Sequence, residues 1–212
     1  MTKKAPYWVW EARLHLLRAA ALPPISLEDL GSAIRKSEKR MNANRTNDGP
    51  DEDVVDFECE RIEEMLELAF IACQLAITAV ISRCRALHQT QGFRSKHQSD
   101  KWELMKRCNS GVSGTRYKQV AVIDAFANYA KHKDEWPLDW MRLKDQPSKT
   151  AKVIKRVGAS PGSSANMRKG FQRILGHGDF KRVSELGNIV QEWGAKLARN
   201  YVSEMKAQKL LR

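Results

Sequence analysis

Residues 66–87 read LELAFIACQLAITAVISRCRAL and form the most apolar stretch of the 212-residue chain. They lie inside a longer run, from Asp51 to Gly92, that no internal glycine or proline interrupts, so one continuous helix is able to form there. Leu75 and Ile81 place apolar side chains outside the main apolar stripe of that helix. A helix that is apolar on several faces is expected at the centre of a bundle.

The rest of the sequence repeats the same helical spacing of threes and fours, and no segment shows the alternation of period two that is typical of strands. We therefore predict an all-α fold, a helical bundle with a long central helix and a long C-terminal helix, in which residues 1–212 form one domain. The other predicted helices cover Trp10 to Ala21, Ser26 to Met41, Ser99 to Cys108, Tyr117 to Glu135 and Phe180 to Leu210.

One stretch, residues 145–166, does not fit the helical pattern as well as its neighbours. It is rich in Lys, Ser, Pro and Gly and has few large apolar residues besides Val153, Ile154 and Val157. Such a composition is typical of a surface loop. We therefore expect a mobile basic segment here, within the single domain.

Charge divides the chain into two unequal parts. Residues 1–80 contain 10 Lys and Arg against 14 Asp and Glu, a net charge of −4, whereas residues 81–212 contain 27 against 11, a net charge of +16. This asymmetry predicts a polyanionic partner for the second part, either nucleic acid or an acidic protein. A general excess of lysine that serves solubility is the alternative. The predicted nucleic-acid-binding residues are Arg85, Lys152, Lys155, Arg156, Arg168, Lys169 and Arg173.

The beginning of the sequence lacks the features of a secretory signal peptide, and the apolar stretch carries Glu67 and is followed closely by Arg83 and Arg85. We therefore expect a cytoplasmic protein that does not enter the membrane.

The four cysteines show no CxxC spacing and are expected to be small core residues in a reducing compartment. Cys84 and His88 could supply half of a metal site, but no second half is visible, so no metal and no cofactor are predicted.

The most informative polar residues lie in the predicted helix over residues 117–135. Asp124, Asn128 and His132 follow one another at i, i+4 spacing along the border of its apolar face, with Lys131 beside His132. Histidine is the commonest general acid or base near neutral pH, and the neighbouring lysine would attract a phosphate. The alternative is a ladder of hydrogen bonds and ion pairs on the surface of the helix.

Residues 127–132, ANYAKH, resemble the motif of the HEPN superfamily, the higher eukaryotes and prokaryotes nucleotide-binding domain. That motif is an Arg, usually followed by a polar residue, with a His a few positions later. Asn128 and His132 match it, and Ala127 stands at the Arg position. Arg83 to His88, RCRALH, has the Arg and His at the family spacing but Cys84 at the polar position. On a continuous helix Arg83 and His88 would point about 140° apart.

The resemblance implies a helical bundle and metal-independent RNA cleavage, since the family includes many RNases of toxin and defence systems. It also implies a homodimer with a composite site, and RNA rather than DNA as the ligand. His132 would be the acid or base and Asn128 its orienting partner, with Lys131, Arg83 or Arg85 as the cation at the phosphate. The predicted catalytic residues are then His132, Asn128, Lys131, Arg83 and His88.

Two other functions agree with the same sequence. In the first, the protein is a non-catalytic helical binding module whose basic part docks nucleic acid or an acidic protein partner. In the second, it is a subunit of a larger assembly that is held together by its long helices, whose apolar seams resemble heptads. The RNA target, the biological trigger and the identity of a partner do not follow from the residues.

Overall fold

The computed structural model of the chain describes residues 7, 11, 26–46, 49–89, 93–96 and 99–210. The predicted helix over Trp10 to Ala21 lies outside the described residues apart from Glu11. A short antiparallel ladder pairs β1 (Arg45–Thr46) with β2 (Gly49–Pro50). The α-helices defined within these ranges, in chain order, are α1 (Leu27–Ala43), α2 (Glu52–His88), α3 (Lys101–Lys106), α4 (Gln119–His132), α5 (Asp145–Arg156), α6 (Asn166–Leu175) and α7 (Ser184–Ala207).

Helix α2 runs through the centre of the bundle and packs against α1, α4, α6 and α7. Asp51 caps its first turn by accepting a 3.3 Å hydrogen bond from the Val54 N–H, and the acidic Glu52 and Asp53 follow at the positive end of the helix dipole. No proline or glycine interrupts the 37 residues of the helix. The predicted all-α bundle with a long central helix and a long C-terminal helix is confirmed.

Helix α1 is joined to the start of α2 by a buried carboxylate. Glu58 of α2 is 3% exposed and accepts hydrogen bonds from both Nε and Nη2 of Arg40, which lies near the end of α1. The hydrogen bonds from Arg40 lower the pKa of Glu58, because they stabilise its charged form. Since Arg40 lies late in α1 and Glu58 early in α2, the two helices form an antiparallel hairpin.

The expectation that Leu75 lies at the centre of the bundle is wrong. Phe70 and Ile81 are buried as expected, but Leu75 is 54% exposed and Leu68, two turns before it, is 51% exposed. Leu68 and Leu75 therefore mark a face of α2 that the helices of the described residues leave half-exposed. An 18-residue window of α2 has a mean hydropathy of 1.9 and is long and apolar enough to cross a membrane, and 61% of this window is buried inside the bundle.

The prediction of a mobile segment over residues 145–166 is wrong for most of its length. Residues 145–156 form α5, which packs on α4 through Thr150, Ala151, Val153 and Ile154. Most of these side chains are small, so the buried face of the helix is inconspicuous in the sequence. The charged residues of α5 occupy its opposite side and its ends.

Helix α6 is held at both its start and its middle by distant parts of the chain. Glu63 of α2 accepts hydrogen bonds from the backbone N–H groups of Met167 and Arg168 and pairs with the Arg168 side chain. Burial raises the pKa of Glu63, although these donors oppose the effect. In the middle of α6, a β-carbon on Gly170 would come within 2.5 Å of the Phe126 ring of α4, so only glycine permits this close approach.

The four cysteines are free thiols in different surroundings. Cys73 and Cys84 are buried, and burial raises the pKa of both thiols to about 12, which keeps them protonated and unreactive. For these two residues the prediction of small core residues is confirmed. Cys59 and Cys108 are partly exposed.

Candidate nucleic-acid interface

A cleft of about 960 Å³ opens between α3, the loop that precedes α4, α4 itself and α5. Helix α4 forms its floor through Ala121, Asp124, Ala125 and Asn128. Helices α3 and α5 form opposite walls, and residues 116–118 of the loop close one end. Three successive segments of residues 100–153 therefore meet around one concavity.

The loop before α4 is fixed by its own backbone. The Val112 N–H donates to the Tyr117 carbonyl at 2.9 Å, and Gly114, with a φ of +71°, makes the turn between them. The Asn109 side chain accepts from the Val120 N–H at 3.2 Å and so caps the first turn of α4. These bonds hold the Arg116-Tyr117-Lys118 triplet at the edge of the cleft.

The cleft carries a marked excess of positive charge. Asp100 and Asp124 are its two acidic lining residues, and both are engaged internally, because Asp100 caps α3 through the Trp102 N–H at 2.8 Å and Asp124 pairs with Lys101 at 2.7 Å. The cationic residues of the lining are Lys101, Lys106, Arg116, Lys118, Lys149 and Lys152. Within the described residues, the last four of these make no ion pair with a carboxylate.

Two aromatic residues lie among these cations. Trp102 on α3 is partly exposed, and its ring meets the largely buried Tyr117 edge to face, with 6.1 Å between the centroids. Lys106 Nζ is 5.9 Å from the Trp102 ring centroid, and the Arg116 guanidinium is 5.4 Å from that of Tyr117. An indole bordered by cations offers a stacking surface next to positive charge.

Asp124 is the centre of a polar network in the floor of the cleft. Its carboxylate is only 5% exposed and accepts hydrogen bonds from Gln74 Nε2 at 2.8 Å, Lys101 Nζ at 2.7 Å and Asn128 Nδ2 at 3.3 Å. Three donors on three elements thus satisfy one buried charge. The network joins α2, α3 and α4 beneath the opening.

The predicted ladder of hydrogen bonds forms between Asp124 and Asn128 and does not extend to His132. Asn128 lines the cleft, but His132, half-exposed in the last turn of α4, lies outside its lining and pairs with Glu135 at 3.3 Å. Lys131 is also exposed there. The histidine and the Asn128 amide therefore face different surroundings.

The second predicted motif lies far from the first within one chain. Lys133, next to His132, bonds Glu67 of α2, whereas Arg83 lies 16 residues beyond Glu67, which is about 24 Å along the helix axis. His88 bonds the Tyr201 hydroxyl at 2.8 Å, in edge-to-face contact with that ring. The motif residues of a single chain do not converge on one cleft.

The predicted nucleic-acid-binding residues divide into three groups. Lys152 lines the cleft, and Lys155 and Arg156 are exposed further along α5. Arg168 pairs with Glu63 at 3.2 Å, and Lys169 donates to Ser163 at 3.2 Å, so both stabilise the fold locally. Arg168 and Lys169 lie outside the lining of the cleft, and their part in ligand binding stays a prediction. Arg85 donates to the Ser99 carbonyl and Arg173 lies beside Gly114, and both are exposed and outside the cleft.

Most of the residues that line the cleft carry no distinctive pattern in the sequence. Lys101 and Lys106 lie on α3 and Lys149 lies on α5, and the fold brings the two helices together around the cleft. The triplet Arg116-Tyr117-Lys118, in which an aromatic residue stands between two cations, was the one local signal available.

No protein-family model, curated protein or solved structure matches this chain. The geometry of the cleft is therefore the main basis for assigning a function.

Proposed function

We propose that this protein binds single-stranded nucleic acid in the cleft between α3, α4 and α5. The observation that carries the proposal is one concavity that combines the partly exposed Trp102 with four cations. These cations, Arg116, Lys118, Lys149 and Lys152, make no ion pair with any carboxylate in the part of the chain that the structure describes. Cations around an opening attract a phosphate backbone, and an aromatic ring between them offers a surface on which a base stacks.

A single strand suits this arrangement better than a duplex does. The faces of its bases are free to stack on an indole inside a concave site, whereas the bases of a duplex are already stacked on one another. The HEPN resemblance of residues 127–132 favours RNA over DNA. An acidic protein segment would meet the same cations, but it has no base to stack on Trp102.

Binding has more support than cleavage. A general acid or base must reach the ribose or the scissile phosphate, and among the predicted catalytic residues Asn128 lines the cleft while His132 pairs with Glu135 outside it. Arg83 lies about 24 Å along α2 from the level of His132. A homodimer with a composite site, as the resemblance implies, would have to bring these residues together across two chains.

The test is the salt dependence of binding to a labelled single-stranded RNA of mixed sequence, measured by fluorescence anisotropy. The wild-type affinity should fall steeply between about 50 and 200 mM salt. In the double variant Lys149→Gln/Lys152→Gln, the slope of log K against log salt should be smaller in magnitude by about 1.4, since each lost phosphate contact removes about 0.7.

Lys36→Gln is the matched control, because Lys36 is an exposed lysine on α1, away from the cleft. Its slope should equal that of the wild type. If the double variant and the control keep the same slope, or if wild-type protein does not bind at low salt, the assignment of the cleft to nucleic acid is wrong.

A further inference from the structure

The closed end of the cleft carries two cations next to its aromatic residues. Arg116 and Lys118 stand on either side of Tyr117 in the loop that precedes α4, and all three residues line the cleft. Lys118 is only partly exposed, yet neither cation makes an ion pair with a carboxylate of the described residues. A partly buried cation without a counter-ion favours a ligand that brings negative charge to it.

The backbone around these two cations is held in place before any ligand binds. A β-bridge pairs Lys118 with Gly111, and the Tyr117 N–H donates to Thr115 Oγ1 at 3.1 Å. Arg116 lies between the last two of these residues. The loop therefore presents both cations from a fixed position, which lowers the entropy cost of binding a group between them.

The two cations also lie at one end of the floor of the cleft. Helix α4 begins directly after Lys118, and its floor residues continue as far as Asn128. These two residues are ten positions apart, which is about 15 Å along a helix. Because the loop closes the cleft at Lys118, a strand that runs along this floor ends against the loop.

The stacking surface lies at the same end of the cleft. The Trp102 ring meets the Tyr117 ring, with 6.1 Å between the centroids, so the indole lies beside the residue that separates the two cations. A base on Trp102 therefore has its sugar and the attached phosphate close to Arg116 and Lys118. Inside a strand that phosphate is a diester with one negative charge. At a phosphorylated end it is a monoester, with a charge of about −1.5 to −2 at pH 7.

We infer that the cleft binds the phosphorylated end of a single strand, with the terminal base on Trp102 and the terminal phosphate on Arg116 and Lys118. This inference rests on the proposed binding of single-stranded nucleic acid and narrows the ligand to strands that end in a phosphomonoester, at the 5′ or the 3′ position. Two cations match the charge of such a group. Lys149 and Lys152 on the α5 wall remain for the internal phosphates.

The test is a competition experiment with three unlabelled RNA strands of one mixed sequence. They carry a 5′-phosphate, a 3′-phosphate or hydroxyl groups at both ends, and each displaces a fluorescent strand from the wild-type protein, as followed by anisotropy. One of the phosphorylated strands should compete about tenfold better than the hydroxyl-ended strand, which is the effect of one additional charge-assisted hydrogen bond. The strand that does so identifies the end that is bound.

Two double variants with the same loss of charge separate the end of the cleft from its wall. Arg116→Gln/Lys118→Gln should bind the phosphorylated and the hydroxyl-ended strands with equal affinity, because it lacks both partners of the terminal phosphate. Lys149→Gln/Lys152→Gln is the matched control. It should bind every strand more weakly but keep the preference for the phosphorylated end.

Equal binding of all three strands by the wild-type protein would overturn this inference and leave the proposed function standing, because the interior of a strand would then occupy the cleft. A preference that survives in Arg116→Gln/Lys118→Gln, or that both double variants lose alike, would also overturn it, since the added charge would then act without a defined site. Wild-type protein that binds none of the strands would overturn the proposed function together with this inference.

Discussion

The two ends of α4 carry the same stripe of polar residues in opposite surroundings. In the first half of α4, Asp124 is buried and accepts hydrogen bonds from side chains of α2, α3 and α4 itself. His132 in the last turn is half-exposed and pairs with the still more exposed Glu135. The i, i+4 spacing is identical at both ends. The comparison shows that the neighbouring helices, and not the spacing, decide which part of such a stripe can form a site.

The largest expected difference between the two ends concerns stability. Asp124→Ala leaves the buried Gln74 amide without its carboxylate partner and Lys101 without its counter-ion, so the free energy of unfolding should fall by about 2 kcal/mol. Glu135→Ala removes an exposed ion pair and should change the free energy of unfolding by less than about 0.5 kcal/mol. Urea titrations of both variants measure the contrast, and equal losses would contradict it.

The next difference concerns affinity for single-stranded RNA. Trp102→Ala removes the proposed stacking surface and should weaken binding by about 1–3 kcal/mol, the usual contribution of one stacked base. Trp136→Ala is the matched variant near the outer end, where Trp136 packs against Tyr129 and Trp140 with centroid distances of 5.3 and 5.6 Å. It should lower stability but leave the affinity of the folded protein unchanged. The same loss of affinity in both variants would show that Trp102 has no special role.

The smallest expected effect belongs to His132→Ala. The variant should bind RNA as tightly as the wild type does, and cellular RNA incubated with either protein in EDTA from pH 6 to 8 should remain intact. The loss of a true general acid or base slows a reaction by about 10²–10⁴-fold. Cleavage by wild-type protein that disappears in His132→Ala would make the outer end of α4 the reactive site and restore the nuclease hypothesis.

The features of the fold that could be predicted from the sequence depend on local periodicity. The long uninterrupted run through Leu66 to Leu87 is sufficient to predict α2, and the regular spacing after Phe180 is sufficient to predict α7. Helix α5 was missed because Thr150 and Ala151 contribute to its buried face without being large apolar residues. Local periodicity identifies a helix only where the buried side chains are clearly different from the exposed ones.

The candidate site could be predicted only in part, because it depends on contacts between distant segments. Asn128 and Lys152 were both singled out and both line the cleft. Lys149 and Trp102 line the same cleft only because α3 and α5 both pack on α4, which no spacing in the sequence reveals. Arg168 also shows this dependence, because its basic cluster gives no sign in the sequence of its partner Glu63, 105 residues away.

The carboxylate of Glu63 also links the formation of α6 to the rest of the chain during folding. Ala165, at the N-cap position of α6, has no side chain able to accept a hydrogen bond, so the N–H groups of Met167 and Arg168 depend on Glu63. That contact closes a loop of about a hundred residues, and closing such a loop costs conformational entropy. The contact between Glu63 and α6 therefore forms only after α2 has formed and α6 has docked. The first turn of α6 is therefore completed late in folding, and its amide protons should exchange with solvent only when the bundle opens as a cooperative unit.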